Sequence, residues 1–348
     1  MARPNPDARM CGRLAAQTLD SVRDLMGGRR ECALVDFPGH ENVGDMAIWL
    51  GERRLLEALG ARVRYACIGR GFSAATLRRR LPPGEVVFIH GGGNFGDLYP
   101  HHHVARMQVL RELTDYTVVQ LPVSVYFRDR SGERETAEAL RAHPDATILV
   151  RDRASLERLR ALGEDRVRLA PDAAFGLALD DHQAAPTLSG KQVWLVRRDE
   201  EAERDLSAFA PSEADVVDWL SPGPSTPGYS RTWVALKNLA RKGSPRLRHL
   251  PMADAAIAGL MLGLFDRLAE HRLGFGRRLL TGAGVVVSDR LHAHILCCLW
   301  GVPHVLVDTG HGKLRAFHEA FTADSRLTTV AEPRGAAGAV APGLPPAR

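Results

Sequence analysis

The chain has 348 residues, 45% hydrophobic and 25% charged, a balance ordinary for a soluble globular protein and a length that suits two domains better than one core. No apolar stretch reaches the roughly 18–20 residues that cross a bilayer. The polar, proline-bearing start "MARPNPDARM" holds no signal-peptide core and predicts a short disordered start on a cytoplasmic protein. The net charge of +5 is carried by arginine, with lysine only at Lys191, Lys237, Lys242 and Lys313. Codon bias accounts for that, or else an anionic ligand or a negatively charged membrane surface does. No Lys/Arg block with interleaved aromatics is present, which disfavours nucleic acid. The five cysteines form no C-x-x-C pair and read as reduced thiols. Cys297 and Cys298 read as packing inside an apolar helix.

Residues 1–30 read as an N-terminal extension with a helix, and strand-like and helix-like segments alternate from there. "CALVDF" (32–37) is a buried strand, and "DMAIWLGERRLLEALG" (45–60) an amphipathic helix ending at Gly60. "RVRYACI" (62–68) is a strand, "AATLRRRL" (74–81) a short helix and "EVVFIH" (85–90) a strand before a glycine-rich loop. "TVVQLPV", "TILV" and "RVRLA" continue the strands, with "RETAEALRAH" and "RASLERLRALG" as helices between them. Such alternation predicts an α/β fold with a parallel, helix-covered sheet.

"ALDDHQAAPTLSGK" (178–191) breaks the pattern and reads as an interdomain linker. It divides a first α/β domain, 31–180, from a second, 190–330. The second restarts with "QVWLVRR" and "ADVVDWL", passes a Pro/Gly loop at 221–230 and a long helix from "MADAAIAGLMLGLFDRLAEH". It then reaches "VVVSDRLHAHILCCLWGVPHVLVD" (285–308), a strand, helix and strand, and the closing helix "KLRAFHEAF" (313–321). The Ala/Pro/Gly-rich tail, 331–348, predicts disorder.

Ligands of open α/β sheets bind at the carboxyl ends of strands, and those loops hold the concentrated Gly, Asp, Arg and His of this chain. "GGGNFG" (91–96) matches G-x-G-x-x-G, but no acidic residue ends the next strand, which argues against a dinucleotide. The run is either a glycine-rich turn or a loop whose N–H groups face an anion or a sugar hydroxyl. His101–His103 read as a solvated loop or helix start, because consecutive side chains diverge and do not converge on one metal. At the helix near Arg290, with Ser288 or Asp289 as N-cap, the helix dipole, free N–H groups, a guanidinium and His292 suit a carboxylate or phosphate. His294 faces another side and reads as structural.

Taken in order, "ENVGDMAIWLGERRLLEALG", "HGGGNFGDLY", "LPVSVYF", "RDRASLERL", "APDAAFGL" and "SDRLHAHILCCLWGVPHVLVD" followed by "GHGKLRAFHEAF" resemble the polysaccharide pyruvyl transferases. The resemblance spans roughly residues 32–322, and its sharpest part is the Arg-Leu-His segment with the Gly-x-Pro that follows. Residues 221–250 fit no part of it. It implies two Rossmann-like domains facing a cleft, as in the GT-B glycosyltransferases. It also implies transfer of pyruvate from phosphoenolpyruvate to a sugar of a polysaccharide or lipid-linked glycan, usually as a ketal across two hydroxyls.

No cofactor or metal is implied. By motif, Arg290, Leu291 and His292 would hold phosphoenolpyruvate, with His292 as general acid. Candidate second cations are Arg151, Arg197, Arg198 and Lys313, each otherwise a surface ion-pair residue. One of Asp45, Asp97 and Asp172 would be the base and the others helix caps. Asn42, Gly92, Gly93, Asn94 and Asp172 would face the acceptor. The competing readings are a nucleotide-sugar glycosyltransferase, with Asp308 as the ribose carboxylate, and a non-catalytic glycan-binding homologue.

Overall fold

The computed structural model describes residues 4–180, 191–198, 205–220, 251–308 and 312–332. Most of the expected linker, the whole of 221–250 and the tail beyond 332 lie outside the described residues.

Helix α1 (Ala8–Met26) opens the described chain, followed by β1 (Glu31–Val35), α2 (Val43–Ala58), β2 (Arg62–Cys67), α3 (Ala74–Arg80), β3 (Val86–Ile89) and β4 (Gly92–Gly96). Then come α4 (Pro100–Glu112), β5 (Thr117–Tyr126), α5 (Arg130–Ala142), β6 (Ala146–Val150), α6 (Arg153–Ala161) and β7 (Val167–Leu169). The strands form one parallel sheet of order β2-β1-β3-β5-β6-β7, with β4 paired to β5. Successive residues of β1 serve opposite faces: Ala33 and Val35 join the core shared with β3, β5 and β6, while Cys32 and Leu34 join the core under α2. Helices on both faces explain why these strands read as continuous apolar runs.

The second half supplies β8 (Gln192–Leu195), β9 (Asp215–Val217), α7 (Pro251–Thr281), β10 (Val285–Ser288), α8 (Leu291–Trp300), β11 (His304–Val307), α9 (Lys313–Phe317) and β12 (Thr328–Ala331). Its five strands make a second parallel sheet of order β12-β11-β10-β8-β9. The fold is therefore α/β with two parallel sheets. No helix among the described residues is long and apolar enough to cross a membrane.

Helix α2 lies between the sheets. Val43, Ala47, Ile48 and Leu55 pack with α8 and β10, and Met46, Trp49, Leu50 and Leu56 pack with the first sheet. Gly51 and Gly176 let α2 meet the turn at Ala173–Leu179 backbone to backbone; a Cβ on Gly51 would lie 1.9 Å from the Ala173 carbonyl. Helix α7 packs back onto the first sheet: Phe265 stacks on Phe37 at 4.3 Å, and Asp266 accepts the Trp49 indole N–H at 2.9 Å.

Four expectations need correction. Residues 4–7 are held in place: Asn5 donates to the carbonyls of Cys298 and Leu299, and Asp7 accepts from Ser325 and Arg326. The glycine run forms strand β4 instead of a loop, because β5 continues past β3 and offers it a ladder. His102 and His103 are buried: His102 pairs with Asp36 at 2.7 Å and His103 with Glu135 at 3.2 Å. Strand β12, four residues unforeseen from the sequence, closes the second sheet's edge and takes in Ala331.

The second sheet carries a buried histidine pair. His304 Nδ1–H donates to the Val302 carbonyl at 2.9 Å, so its Nε2 accepts the His294 Nδ1–H at 2.7 Å; Thr322 Oγ1 lies 2.8 Å from His294 Nε2. Burial pushes His294 well down and His304 down to about 4. Unfolded imidazoles take up protons near pH 6.5 and the folded ones do not, so stability is complete above that pH and falls as the pH drops toward 4. The expected result is a urea midpoint lower at about pH 5 than at about pH 7.5, with His304 alone contributing on the order of 2 kcal/mol. An equal midpoint at both pH values would contradict this.

Candidate active site

The carboxyl ends of the first sheet's strands face the start of α8 across the N-terminal turns of α2. Asn42 caps α2, its Oδ1 accepting the Gly44 N–H at 2.9 Å. The next turn presents Gly44 and Asp45. The His292 side chain lies on Gly44 so closely that a Cβ there would be 2.3 Å from ring Nδ1, 2.6 Å from Cγ and 2.7 Å from His292 Cβ. Gly44 is thus the seat of His292.

Arg151 follows β6 and is buried. Its Nε donates to Ser124 Oγ at 2.9 Å and its Nη1 to Asp172 Oδ2 at 2.6 Å, and Nη1 lies 3.3 Å from His292 Nε2. Asp172 also sits 3.5 Å from His292 Nε2 and caps the turn at Ala173–Leu179 through Ala174 N–H. A guanidinium only donates, so the Arg151 contact needs a lone pair on His292 Nε2, while the Asp172 contact needs a proton there. His292 is held between an acceptor for its protonated form and a donor for its neutral form.

Asp45 completes the group. Its carboxylate lies 3.6 Å from His40 Nε2, and its Oδ1 is 3.4 Å from where a Cβ of Gly92 would stand. A Cβ on Gly93 would lie 3.3 Å from Arg151 Nη2. Gly92 and Gly93 therefore leave room for these charged ends. Burial would raise the pKa of Asp45, but His40, His292, His90 and Arg151 outweigh it and hold the carboxyl below its usual range. Burial likewise opposes ionisation of Asp172, and Arg151, His292 and the Ala174 N–H hold it far below.

The structure thus brings together Asp45, Gly92, Gly93, Arg151, Asp172 and His292. Helix α8 starts one or two residues later than expected: Arg290, not Ser288 or Asp289, is the N-cap, and Ser288 Oγ donates to the Leu195 carbonyl. Arg290 is buried, with Nη2 on Asp218 Oδ1 at 2.8 Å and its guanidinium 5.6 Å from the centre of the Trp219 ring. Leu291 is the half-buried first residue of the helix. Half-buried Arg197 and exposed Arg198 follow β8. Exposed Lys313 opens α9 and reaches from the second sheet to the Tyr126 ring at the end of β5, 5.5 Å from its centre.

Other expected site residues are engaged elsewhere. Asp97 accepts the Arg128 N–H at 2.7 Å and lies against Gly132 near the start of α5. Asn94 is held by Arg106, whose Nη2 donates to Oδ1 at 3.0 Å. Asn42 serves as a cap and Asp172 is fully buried. Asp308 accepts the Arg315 N–H at 3.0 Å. One group among the described residues, His294, Cys298 and His304, clusters tightly enough to suit a metal, with ligand atoms within 4.8 Å of one another. Its ring nitrogens are those already bonded to each other, Val302 and Thr322.

Sequence reasoning missed Glu52, His90, Asp218 and Trp219. Glu52 had a signal: an acidic residue on a helix face otherwise occupied by core residues, seven positions after Asp45.

The family profile described as Polysaccharide pyruvyl transferase matches residues 42–225, more than half the chain. The chain belongs to the polysaccharide pyruvyl transferase family. It is 30% identical over 308 residues to "Pyruvyl transferase 1" of Schizosaccharomyces pombe, covering 86% of this chain and 71% of that one. It is 27% identical over 305 residues to "Putative pyruvyl transferase EpsO" of Bacillus subtilis, covering 85% and 87%. A functionally uncharacterised protein of Klebsiella pneumoniae shares the fold, with a TM-score of 0.57 at 15% identity over 91% of this chain and 98% of that one. The matched segment of this transferase holds Asp45, Arg151 and Asp172, and His292 lies beyond it.

Proposed function

We propose that this transferase moves pyruvate from phosphoenolpyruvate to a glycan sugar, as a ketal across two hydroxyls, in a GT-B-like cleft between domains at 31–180 and 190–330. The observation that carries the reading is the meeting of Arg151, Asp172 and His292, one set from the first sheet and one from the start of α8. A dianionic donor needs cations from more than one side. Arg151, the N-terminus of α8 and Arg290 supply them, with Lys313 at the rim.

His292 delivers a proton to the methylene carbon of the donor, and C2 becomes a cation open to a sugar hydroxyl. Arg151 and Asp172 fix the ring for that delivery. Asp45, held ionised, takes the hydroxyl proton. The second hydroxyl then displaces phosphate, its proton passing to His292 and the proton on Asp45 to the departing phosphate, which closes the ketal, resets both residues and releases one inorganic phosphate per transfer.

Phosphoenolpyruvate should raise the melting temperature by several degrees near 100 times Kd, where about 2.7 kcal/mol of binding linkage is available. Nucleotide sugars should not. Phosphate release from phosphoenolpyruvate across a panel of mono- and disaccharide acceptors identifies the acceptor. Stabilisation by a nucleotide sugar but not by phosphoenolpyruvate would overturn the reading.

Gly44→Ala offers a sharper geometric test. Alanine suits a helix interior, so the fold should persist, but its methyl would occupy the space of the His292 ring. Displacement by about 1 Å costs on the order of 10²-fold in rate. The expected outcome is that loss in phosphate release with unchanged circular dichroism.

A further inference from the structure

Arg106 on α4 is only 1% exposed, yet no carboxylate bonds it among the described residues. Its guanidinium lies over the Phe95 ring, 4.6 Å from the centre, and turns its nitrogens to neutral oxygens. Nε donates to Gln120 Oε1 at 2.6 Å, Nη1 to the Asn94 carbonyl at 3.2 Å and Nη2 to Asn94 Oδ1 at 3.0 Å. Gln120, 2% exposed, is itself fixed, because its Nε2 donates to the carbonyls of Ile89, His90 and Leu121. Burying a guanidinium costs far more than filling the same space with an apolar side chain. What an apolar side chain could not do is hold both oxygens of one residue.

The residue so held is Asn94, and the hold leaves its amide nitrogen unused. A guanidinium only donates, so the amide oxygen faces Arg106 and the NH2 faces away from it. Nδ2 makes no hydrogen bond among the described residues, and Asn94 is half-buried, so its N–H groups are left for a ligand. Their place is beside the Asp45 carboxylate. Asn94 stands in β4, beyond the end of β3 and two residues from Gly92, whose missing side chain leaves room for Asp45 Oδ1. The Cα atoms of Gly92 and Asn94 are at most about 7 Å apart, within the span of one sugar residue.

We propose that Asn94 binds the acceptor by donating to a sugar oxygen, and that Arg106 and Gln120 are positioning residues that keep its NH2 turned toward that sugar. The group it selects is an oxygen that accepts: a hydroxyl, a ring oxygen or a glycosidic oxygen. The chain of bonds from the β3 carbonyls through Gln120 and Arg106 fixes the amide before any sugar arrives, so little side-chain freedom is lost on binding.

The inference rests on the reading of a glycan acceptor, and the test separates the two. The chain has four asparagines, Asn5, Asn42, Asn94 and Asn238, so nitrogen-15 labelling of asparagine gives few side-chain NH2 signals. The Asn94 pair is the one absent from Asn94→Asp. Methyl glycosides of glucose, galactose, mannose and N-acetylglucosamine, each raised to its solubility limit, are the probes of the full chain. At least one should shift the Asn94 pair and support phosphate release from phosphoenolpyruvate. Asn94→Asp keeps an oxygen for Arg106 and sets a charge against the guanidinium, so its melting temperature should equal or exceed that of the unaltered chain. It can no longer donate, so kcat/KM for that glycoside should fall about 10- to 100-fold, while stabilisation by phosphoenolpyruvate remains. Arg106→Lys keeps the charge but not the fork, and should lose the Asn94 response and kcat/KM together. If Arg106→Lys does not fold, Asn94→Asp decides. An asparagine present only to satisfy Arg106 would leave Asn94→Asp as active as before. That result, or an Asn94 pair that no glycoside moves, overturns the inference. Turnover beside an unmoved pair leaves pyruvyl transfer standing without this residue, and a shifted pair without phosphate release keeps the sugar site and overturns pyruvyl transfer.

Discussion

His292→Ala is expected to reduce acceptor-dependent phosphate release by about 10²–10⁴-fold, the range that one positioned acid or base contributes. The fold should survive. Removing the ring leaves no charge without its partner, because Arg151 keeps Asp172 and Ser124. The side chain is 12% exposed, so its space opens toward solvent and is filled by water instead of becoming a dry cavity. Phosphoenolpyruvate should still raise the melting temperature of the variant, since Arg151 and Arg290 remain. The expected pattern is therefore lost turnover with retained donor binding. Wild-type turnover in the variant would remove His292 from the chemistry, and lost donor binding with the fold intact would recast it as a ligand for the anion.

The sequence and the structure agree most where local pattern suffices. Apolar runs such as "CALVDF" and "TILV", each bounded by turn residues, fold as the strands they read as. The parallel sheets follow from their alternation with helices. The seam at Arg290 and His292 was legible for the same reason, since a strand, a polar turn and an apolar helix are contiguous in the chain. What was hidden depends on long-range partners. Nothing near Asp172 announces that its carboxylate meets Arg151, 21 residues away, and His292, 120 residues away. Asn5 reads as part of a loose start, and is ordered only because two carbonyls at the end of α8 await its amide. "GGGNFG" reads as a turn because glycine is poor in strands. It becomes a strand because β5 offers it a ladder, and the absence of side chains makes room for Asp45 and Arg151. Asp218 and Trp219 looked like the ordinary end of a strand until the fold placed Arg290 against them.

Arg151→Met is expected to be the most damaging single change to both stability and activity. It leaves the Asp172 carboxylate, fully buried, without its guanidinium, and breaking a buried pair from one side costs about 3–5 kcal/mol. In a chain of this size that is a fall in melting temperature of roughly 10 °C. The sign of the pH dependence follows from Asp172. Its folded pKa lies far below the ordinary carboxylate range, so the pair contributes stability above about pH 4 and loses it as acid protonates the group. The deficit of Arg151→Met should therefore be full from neutrality down to about pH 4 and shrink as the pH falls further. Adding Asp172→Asn removes the stranded charge while keeping an oxygen for the Ala174 N–H, so the double variant should regain most of the lost urea midpoint. It should regain no phosphate release, because the donor has lost a cation and His292 both of its orienting partners. A double variant that recovered stability and turnover together would show that Arg151 holds only the fold. Recovery of the midpoint alone would separate its two roles, one to neutralise Asp172 and one to meet the donor.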